Sequence, residues 1–215
     1  MLEIIPAILE QDWVEIEKKI ELAKSFVKTI HIDVADGIMV PNTTFLDSAP
    51  FAKYTKSLPD ILFEAHFMVS DPIKYLKPFA DAGFKRFIGH VEKMPDQEEF
   101  VAQGQLLGEV GLGFDGPTNL DMLKVPLDDL DCVFFYTSDK AGFSGPPFNP
   151  QRLGKVRKIR SRNSQIPIEV DGGLNEETIV FAKNAGVTRF AVTSALFRRP
   201  DPPHIQFQKL NELLK

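Results

Sequence analysis

Residues 29–37 read TIHIDVADG. Apolar and polar side chains alternate, so a segment of strand composition sets His31 and Asp33 on one face, where a core would carry hydrocarbon. A buried imidazole and carboxylate need a reason, and the ends of strands at the mouth of a parallel barrel supply one.

Short apolar runs of the same kind recur at 4–9 (IIPAIL), 29–34, 61–69 (ILFEAHFMV), 86–91 (RFIGHV), 109–115 (EVGLGFD), 132–138 (CVFFYTS), 166–172 (IPIEVDG) and 189–197 (RFAVTSALF). Between several of them lie amphipathic stretches. In DWVEIEKKIELAKSF, at 12–26, Val14, Ile16, Ile20, Leu22, Ala23 and Phe26 roughly trace a helix face. Alternation of strand and helix implies a parallel sheet, and eight such units at fairly even spacing predict a closed (β/α)8 TIM barrel rather than an open doubly wound sheet. Spacing lengthens after the second and sixth runs, where active-site loops are expected. No linker, low-complexity tract or close repeat interrupts the series, so residues 1–215 are expected to form a single barrel domain.

The chain has 215 residues, is 43% hydrophobic and carries a net charge of −5, which argues against a general nucleic-acid surface. The basic run RKIRSR at 157–162 reads as a helix end, where cations oppose the dipole. The opening MLEIIPAILEQDW carries no basic leader, and no apolar run approaches the roughly 18 residues of a membrane span. Cys132 is the single cysteine and reads as a buried strand residue. The expectation is a cytoplasmic protein without nucleic-acid or membrane partners.

Two further ligand-type residues stand at run ends: His66 in EAHFMV and Asp171 in EVDGG. With His31 and Asp33 they make two imidazoles and two carboxylates, a set suited to a divalent zinc, iron, manganese or cobalt ion. Each also has a plainer reading. A strand histidine is commonly a hydrogen-bonded core residue, an aspartate before two glycines a turn former. Spacing alone leaves both readings open.

The ordered set HIDVADG, VPN (40–42), HFMV (66–69), HVE (90–92), GFSG (142–145) and EVDGGLNEET (169–178) resembles the ribulose-phosphate 3-epimerase family. The resemblance covers most of the chain and implies one divalent metal ion per chain, held by His31, Asp33, His66 and Asp171. It also implies that Asp33 and Asp171 exchange protons at carbon 3 of a phosphorylated ketose through an enediolate, converting D-ribulose 5-phosphate to D-xylulose 5-phosphate or acting on a related sugar phosphate. Inverting that carbon requires one carboxylate on each side, and the two aspartates come from well-separated strands. The implied phosphate site is made of backbone amides in the loops after strands six, seven and eight: Gly142, Phe143, Ser144 and Gly145; Gly172 and Gly173; Thr193 and Ser194. Met68 is implied as a wall beside the reacting carbons.

Glu64 and Glu169, one layer deeper than His66 and Asp171, read either as acceptors orienting the ligands or as buried structural groups. His90 ends strand four without an implied ligand role, Asp36 shapes a turn, and His204 reads as surface. Phe45, Phe51, Phe143 and Phe148, in or near the long loops, are candidates for a homo-oligomer interface or a lid.

The chain departs from the family pattern at Ala7 (serine in the family), Ala35 (methionine), Pro146 (glutamine) and Thr193 (glycine), and TSDKAGFSGPP brings Asp139 and Lys140 near the mouth. These changes predict an altered substrate preference. Two other readings stay open: a noncatalytic metal- or sugar-phosphate-binding barrel, and a barrel lyase such as hexulose-phosphate synthase. The lyases rely on an aspartate–lysine pattern on strand two, and no lysine accompanies Asp33.

Overall fold

Residues 2–215 are described in a computed structural model. Strands β1 (Glu3–Ile8), β2 (Thr29–Ala35), β3 (Leu62–Met68), β4 (Arg86–His90), β5 (Glu109–Phe114), β6 (Cys132–Tyr136), β7 (Ile168–Asp171) and β8 (Arg189–Val192) pair in parallel, each with the next. β8 pairs back to β1, closing the barrel. Around it lie α1 (Trp13–Ala23), α2 (Ala52–Ser57), α3 (Ile73–Asp81), α4 (Gln97–Gln105), α5 (Leu153–Arg162), α6 (Glu176–Ala185), α7 (Ser194–Phe197) and α8 (Pro203–Glu212). One connection departs from the alternation: β5 reaches β6 through two short 3₁₀ turns, Leu120–Met122 and Leu127–Asp129.

Local chemistry sets the helix ends. Asp12 accepts from the Val14 amide at 2.6 Å and starts α1; Asn175 and Thr178 form a capping box that starts α6, which ends on Gly186 at φ 104°. Arg160 and Arg162 occupy the last turn of α5, as the basic run predicted. Two expectations need correction. Val14 and Leu22 are 66% and 45% exposed, because at 100° per residue they fall outside the arc shared by Ile16, Ile20 and Ala23. The run 189–197 is not one strand: Thr193 adopts helical angles (φ −104°, ψ −74°), and Ser194–Phe197 form α7.

The outward faces of the strands carry Ile30, Ile32, Phe63, Phe67, Phe87, Leu112, Phe135 and Phe190, fully buried against the helices. Inside the barrel the chemistry is polar. Register sets His31 beside Glu64, Glu64 beside Arg86, and Arg86 beside Glu109. Arg86 donates to Glu64 Oε2 at 2.6 Å and to Glu109 Oε2 at 2.7 Å, so the low barrel is an ion-paired belt. Above it sits a second apolar cluster including Ala35, Met68, Ile88, Cys132, Phe134 and Tyr136.

Phe51 is fully buried and packs edge-on against Trp13 at 5.0 Å, with Phe45 on the same indole at 5.6 Å. Both pack α1 against the barrel; Phe51 is too buried to form an interface or lid, while Phe45 is half-buried. Phe148 packs against the main core as well, whereas Phe143 is 38% exposed. His204 is exposed, as expected.

Candidate active site

Alternation along β2 aims His31 and Asp33 into the barrel, and alternation along β3 does the same for Glu64 and His66. One ligand atom each from His31, Asp33 and His66 lies within 4.8 Å of the other two. Asp33 Oδ1 is 3.3 Å from His31 Nε2 and 2.8 Å from His66 Nδ1. All three residues are at most 3% exposed. Asp171, at the end of β7, stands outside that group, and its Oδ1 accepts from the Gly172 amide at 2.7 Å. The expected fourth ligand is thus not gathered with the other three.

The three fit a cation on their own chemistry. His31 Nδ1 faces the carboxylates of Glu64 and Glu169 at 2.8 and 3.1 Å, which requires the proton on Nδ1 and leaves Nε2 to the Asp33 side. Glu64 and Glu169 thus orient the His31 ring, and Glu64 is held ionised: burial opposes its charge, but Arg86 and His31 outweigh burial. Burial likewise opposes charge on His31, yet Asp33, Glu169 and Glu64 hold it well above the usual imidazole range. The field that retains a proton there also favours a metal cation.

The two aspartates are driven apart. Burial raises the Asp33 carboxyl, but the charge and hydrogen bond of His31 outweigh it and hold the group below the usual carboxylate range. Asp171 is pushed up to about 8 by burial and by the Asp33 charge. Both line one cavity at the C-terminal ends of the strands.

The cavity wall comprises Met68, Tyr136, Gly142, Phe143, Ser144, Gly145, Gly172, Gly173, Thr193 and Ser194, among others. Gly142, Gly145, Gly172 and Gly173 all have φ between 70° and 111°, and a Cβ on Gly172 would come within 2.8 Å of the Ser138 amide nitrogen. Ser144 Oγ is buried and has no partner among the described residues. Asn42 of the VPN motif donates to the Gly142 carbonyl at 2.6 Å and so tethers the loop after β6 to the loop after β2.

Most departures from the family pattern miss this cavity. Ala7 is fully buried beside His31 and does not line it, where Leu9 does; Ala35 is buried in the apolar cluster. Asp139 pairs with Arg152 at 2.7 Å and accepts from Asn149, so it braces its own loop and forms no charge pair with Lys140 at the mouth. Pro146 lines a neighbouring cavity; Thr193 alone of the six faces the main one. Asp36 caps its turn through Ile38 and also holds Ser70 at 2.7 Å. Tyr136 was not singled out by the sequence reading. Its place two residues beyond Phe134 on β6 is the signal that could have found it.

A closed parallel barrel whose mouth holds paired carboxylates and a histidine–aspartate cluster defines a (β/α)8-barrel enzyme. The pattern of the family described as "Ribulose-phosphate 3 epimerase family" matches residues 3–197. The ribulose-phosphate 3-epimerase of Schizosaccharomyces pombe is 30% identical over 218 residues, spanning 99% of this chain and 94% of its own length. That of Bacillus subtilis is 29% identical, spanning 94% of each chain. The chain belongs to the ribulose-phosphate 3-epimerase family, and is an enzyme of the isomerase class. Among solved structures, 3-hexulose-6-phosphate synthase from Salmonella typhimurium superposes with a TM-score of 0.76 over 99% of this chain and 98% of that one, at 16% identity, a likeness of fold.

Proposed function

We propose that residues 1–215 act as one barrel domain that interconverts D-ribulose 5-phosphate and D-xylulose 5-phosphate, with Asp33 and Asp171 as the proton-transfer pair. The observation that carries this reading is the divergence of the two carboxyls that line one cavity from separate strands: Asp33 held ionised and Asp171 pushed up to about 8. Such a split is what acid–base chemistry at neutral pH needs. Ionised Asp33 takes the carbon 3 proton from one face, and protonated Asp171 returns one to the other; in the reverse direction the roles exchange. Met68 and Tyr136 close the walls and keep water from the carbanionic carbon. The sugar phosphate group fits against the amides of Gly142–Gly145, Gly172–Gly173 and Thr193–Ser194, a concavity of backbone donors at glycine-permitted angles, with Ser144 Oγ as a free hydroxyl.

His31, Asp33 and His66 would hold one divalent ion, zinc, iron, manganese or cobalt, with Asp171 as a fourth ligand once its carboxylate turns from Gly172. Bound there, the ion supplies Lewis-acid stabilisation of the negative charge that develops on the substrate carbonyl oxygen. Because five of the six departures lie outside the main cavity, the five-carbon substrate is favoured over a six-carbon one. A cytoplasmic setting agrees with a relative from Oryza sativa, 28% identical and named a cytoplasmic isoform, and no described helix is long and apolar enough to cross a membrane. A homo-oligomer remains part of the proposal, with the exposed Phe143 as its candidate contact.

The test is proton NMR in deuterated water. Metal-loaded protein is expected to exchange the carbon 3 proton of D-ribulose 5-phosphate while D-xylulose 5-phosphate accumulates. Chelation should abolish the exchange, and added manganese or zinc should restore it. Activity unchanged after complete metal removal would remove the ion from the reading; no exchange with any ketose phosphate would remove the enzyme.

A further inference from the structure

His66 faces Asp33 through Nδ1, and its other nitrogen, Nε2, lies 2.7 Å from Nε2 of His90. His90 Nδ1 in turn lies 3.0 Å from Glu92 Oε2, while Glu92 Oε1 accepts from the Asp115 amide at 2.7 Å. Neither His90 nor Glu92 lines the main cavity. His90 is fully buried at the end of β4, edge-on to Phe134 with ring centroids 5.8 Å apart. Gly113 makes room for it on β5: a Cβ there would stand 3.2 Å from the imidazole.

The order of donors along this row follows from its outer end. Both Glu92 oxygens act as acceptors, so the proton between Glu92 and His90 sits on His90 Nδ1. At the inner end His66 Nδ1 lies 2.8 Å from the Asp33 carboxylate, a donor contact when no cation is bound. A cation taken at Nδ1 displaces that proton and leaves Nε2 to carry the proton of His66, where His90 Nε2 stands 2.7 Å away to accept it, the His90 proton lying on Nδ1 toward Glu92.

We infer that Glu92 and His90 are positioning residues for the metal: Glu92, acting through His90, fixes the tautomer of His66 that presents a bare Nδ1 to the cation. The inference rests on the metal-binding reading above and extends it to two residues outside the ligand set. His31 receives the same service directly from Glu64 and Glu169; His66 receives it at one remove. Ionisation of Glu92 supports the arrangement: burial opposes its charge, but hydrogen bonding with His90 outweighs burial and brings it down to about 2.

The variants follow from the donor count. Glu92→Gln has one acceptor oxygen for two donors, the Asp115 amide and His90 Nδ1, and cannot serve both. His90→Phe keeps a ring but removes the acceptor for His66 Nε2. His90→Gln restores an acceptor oxygen. Zinc and manganese affinities, measured on the intact protein by competition with a chelating dye, are expected to fall about 10- to 100-fold in Glu92→Gln and His90→Phe. His90→Gln should recover part of that loss. In zinc-loaded wild type, nitrogen–proton correlation spectra of the imidazoles should show His66 protonated at Nε2 and unprotonated at Nδ1. If wild type binds zinc or manganese and all three variants bind as tightly, or if zinc-loaded His66 carries its proton on Nδ1, the relay is wrong while the metal site stands. The spectrum decides even if His90→Phe fails to fold. If wild type binds neither ion, the metal reading falls and the relay falls with it.

Discussion

Asp33 and Asp171 are the same residue type in different electrostatic company. Asp33 sits against two imidazoles, His31 and His66; Asp171 has a backbone amide and a like charge. That difference, more than their common burial, separates an ionised carboxylate from a protonated one. Asp171→Asn keeps the shape and the contact with Gly172 but cannot release and recapture a proton. Turnover of D-ribulose 5-phosphate is expected to fall by at least ~10²-fold in metal-replete protein, with thermal unfolding close to wild type. A metal-replete Asp171→Asn enzyme with wild-type kcat would show that the second proton does not pass through this residue. At this scale the sequence was informative for His31, Asp33 and His66, because alternation fixes a shared face. It could not order their nitrogens: the partners that the imidazoles meet are Glu64, Glu169 and His90 on other strands, with Glu92 beyond the end of β4.

Elements carry these residues to the mouth, and the turns between them matter as much as the strands. The β7–α6 turn passes through Gly172 (φ +107°) and Gly173 (φ +70°), both crowded by the loop after β6. Gly172→Ala would be strained by its φ and by the Ser138 amide nitrogen 2.8 Å from the new Cβ. A loss of about 1–3 kcal/mol in unfolding free energy and a raised KM for the sugar phosphate are expected, from chemical denaturation and steady-state kinetics. Gly154 in α5 is the contrasting case: a Cβ there meets nothing within 4 Å and the backbone is helical. Gly154→Ala should stabilise the protein by about 0.4–1 kcal/mol with unchanged kinetics, chiefly by restricting the unfolded chain. The sequence marked both turn glycines of EVDGG, but a glycine-rich pair reads alike in any tight turn. The partner that crowds Gly172 lies 34 positions away and is brought there by barrel closure.

The whole molecule closes around a charged interior. Arg86 is 4% exposed and ties fully buried Glu64 on β3 to Glu109 on β5. Arg86→Leu would leave fully buried Glu64 facing His31 but without the guanidinium, and urea unfolding should register a loss of about 3–5 kcal/mol. Adding Glu64→Gln should recover much of that loss, because the stranded charge, rather than the missing bond, is the main cost. Equal stability of the single and double variants would show that Glu64 finds another partner or gives up its charge.

Taken by itself, the sequence determined the eight strands and their order, and which residues of each strand face inward. These are local properties: side-chain alternation with period two, helical periodicity and turn chemistry act over a few neighbouring residues. It also determined the family, through motifs whose order survives along the chain. The tertiary structure alone decided which inward residues meet. Register put His31 between Glu64 and Glu169, set Arg86 beside Glu64, brought His90 against His66, and left Asp171 outside the three-residue cluster and Ala7 outside the cavity. Those outcomes depend on how eight strands tilt and close on one another, and closure brings together side chains from distant strands that no local pattern pairs.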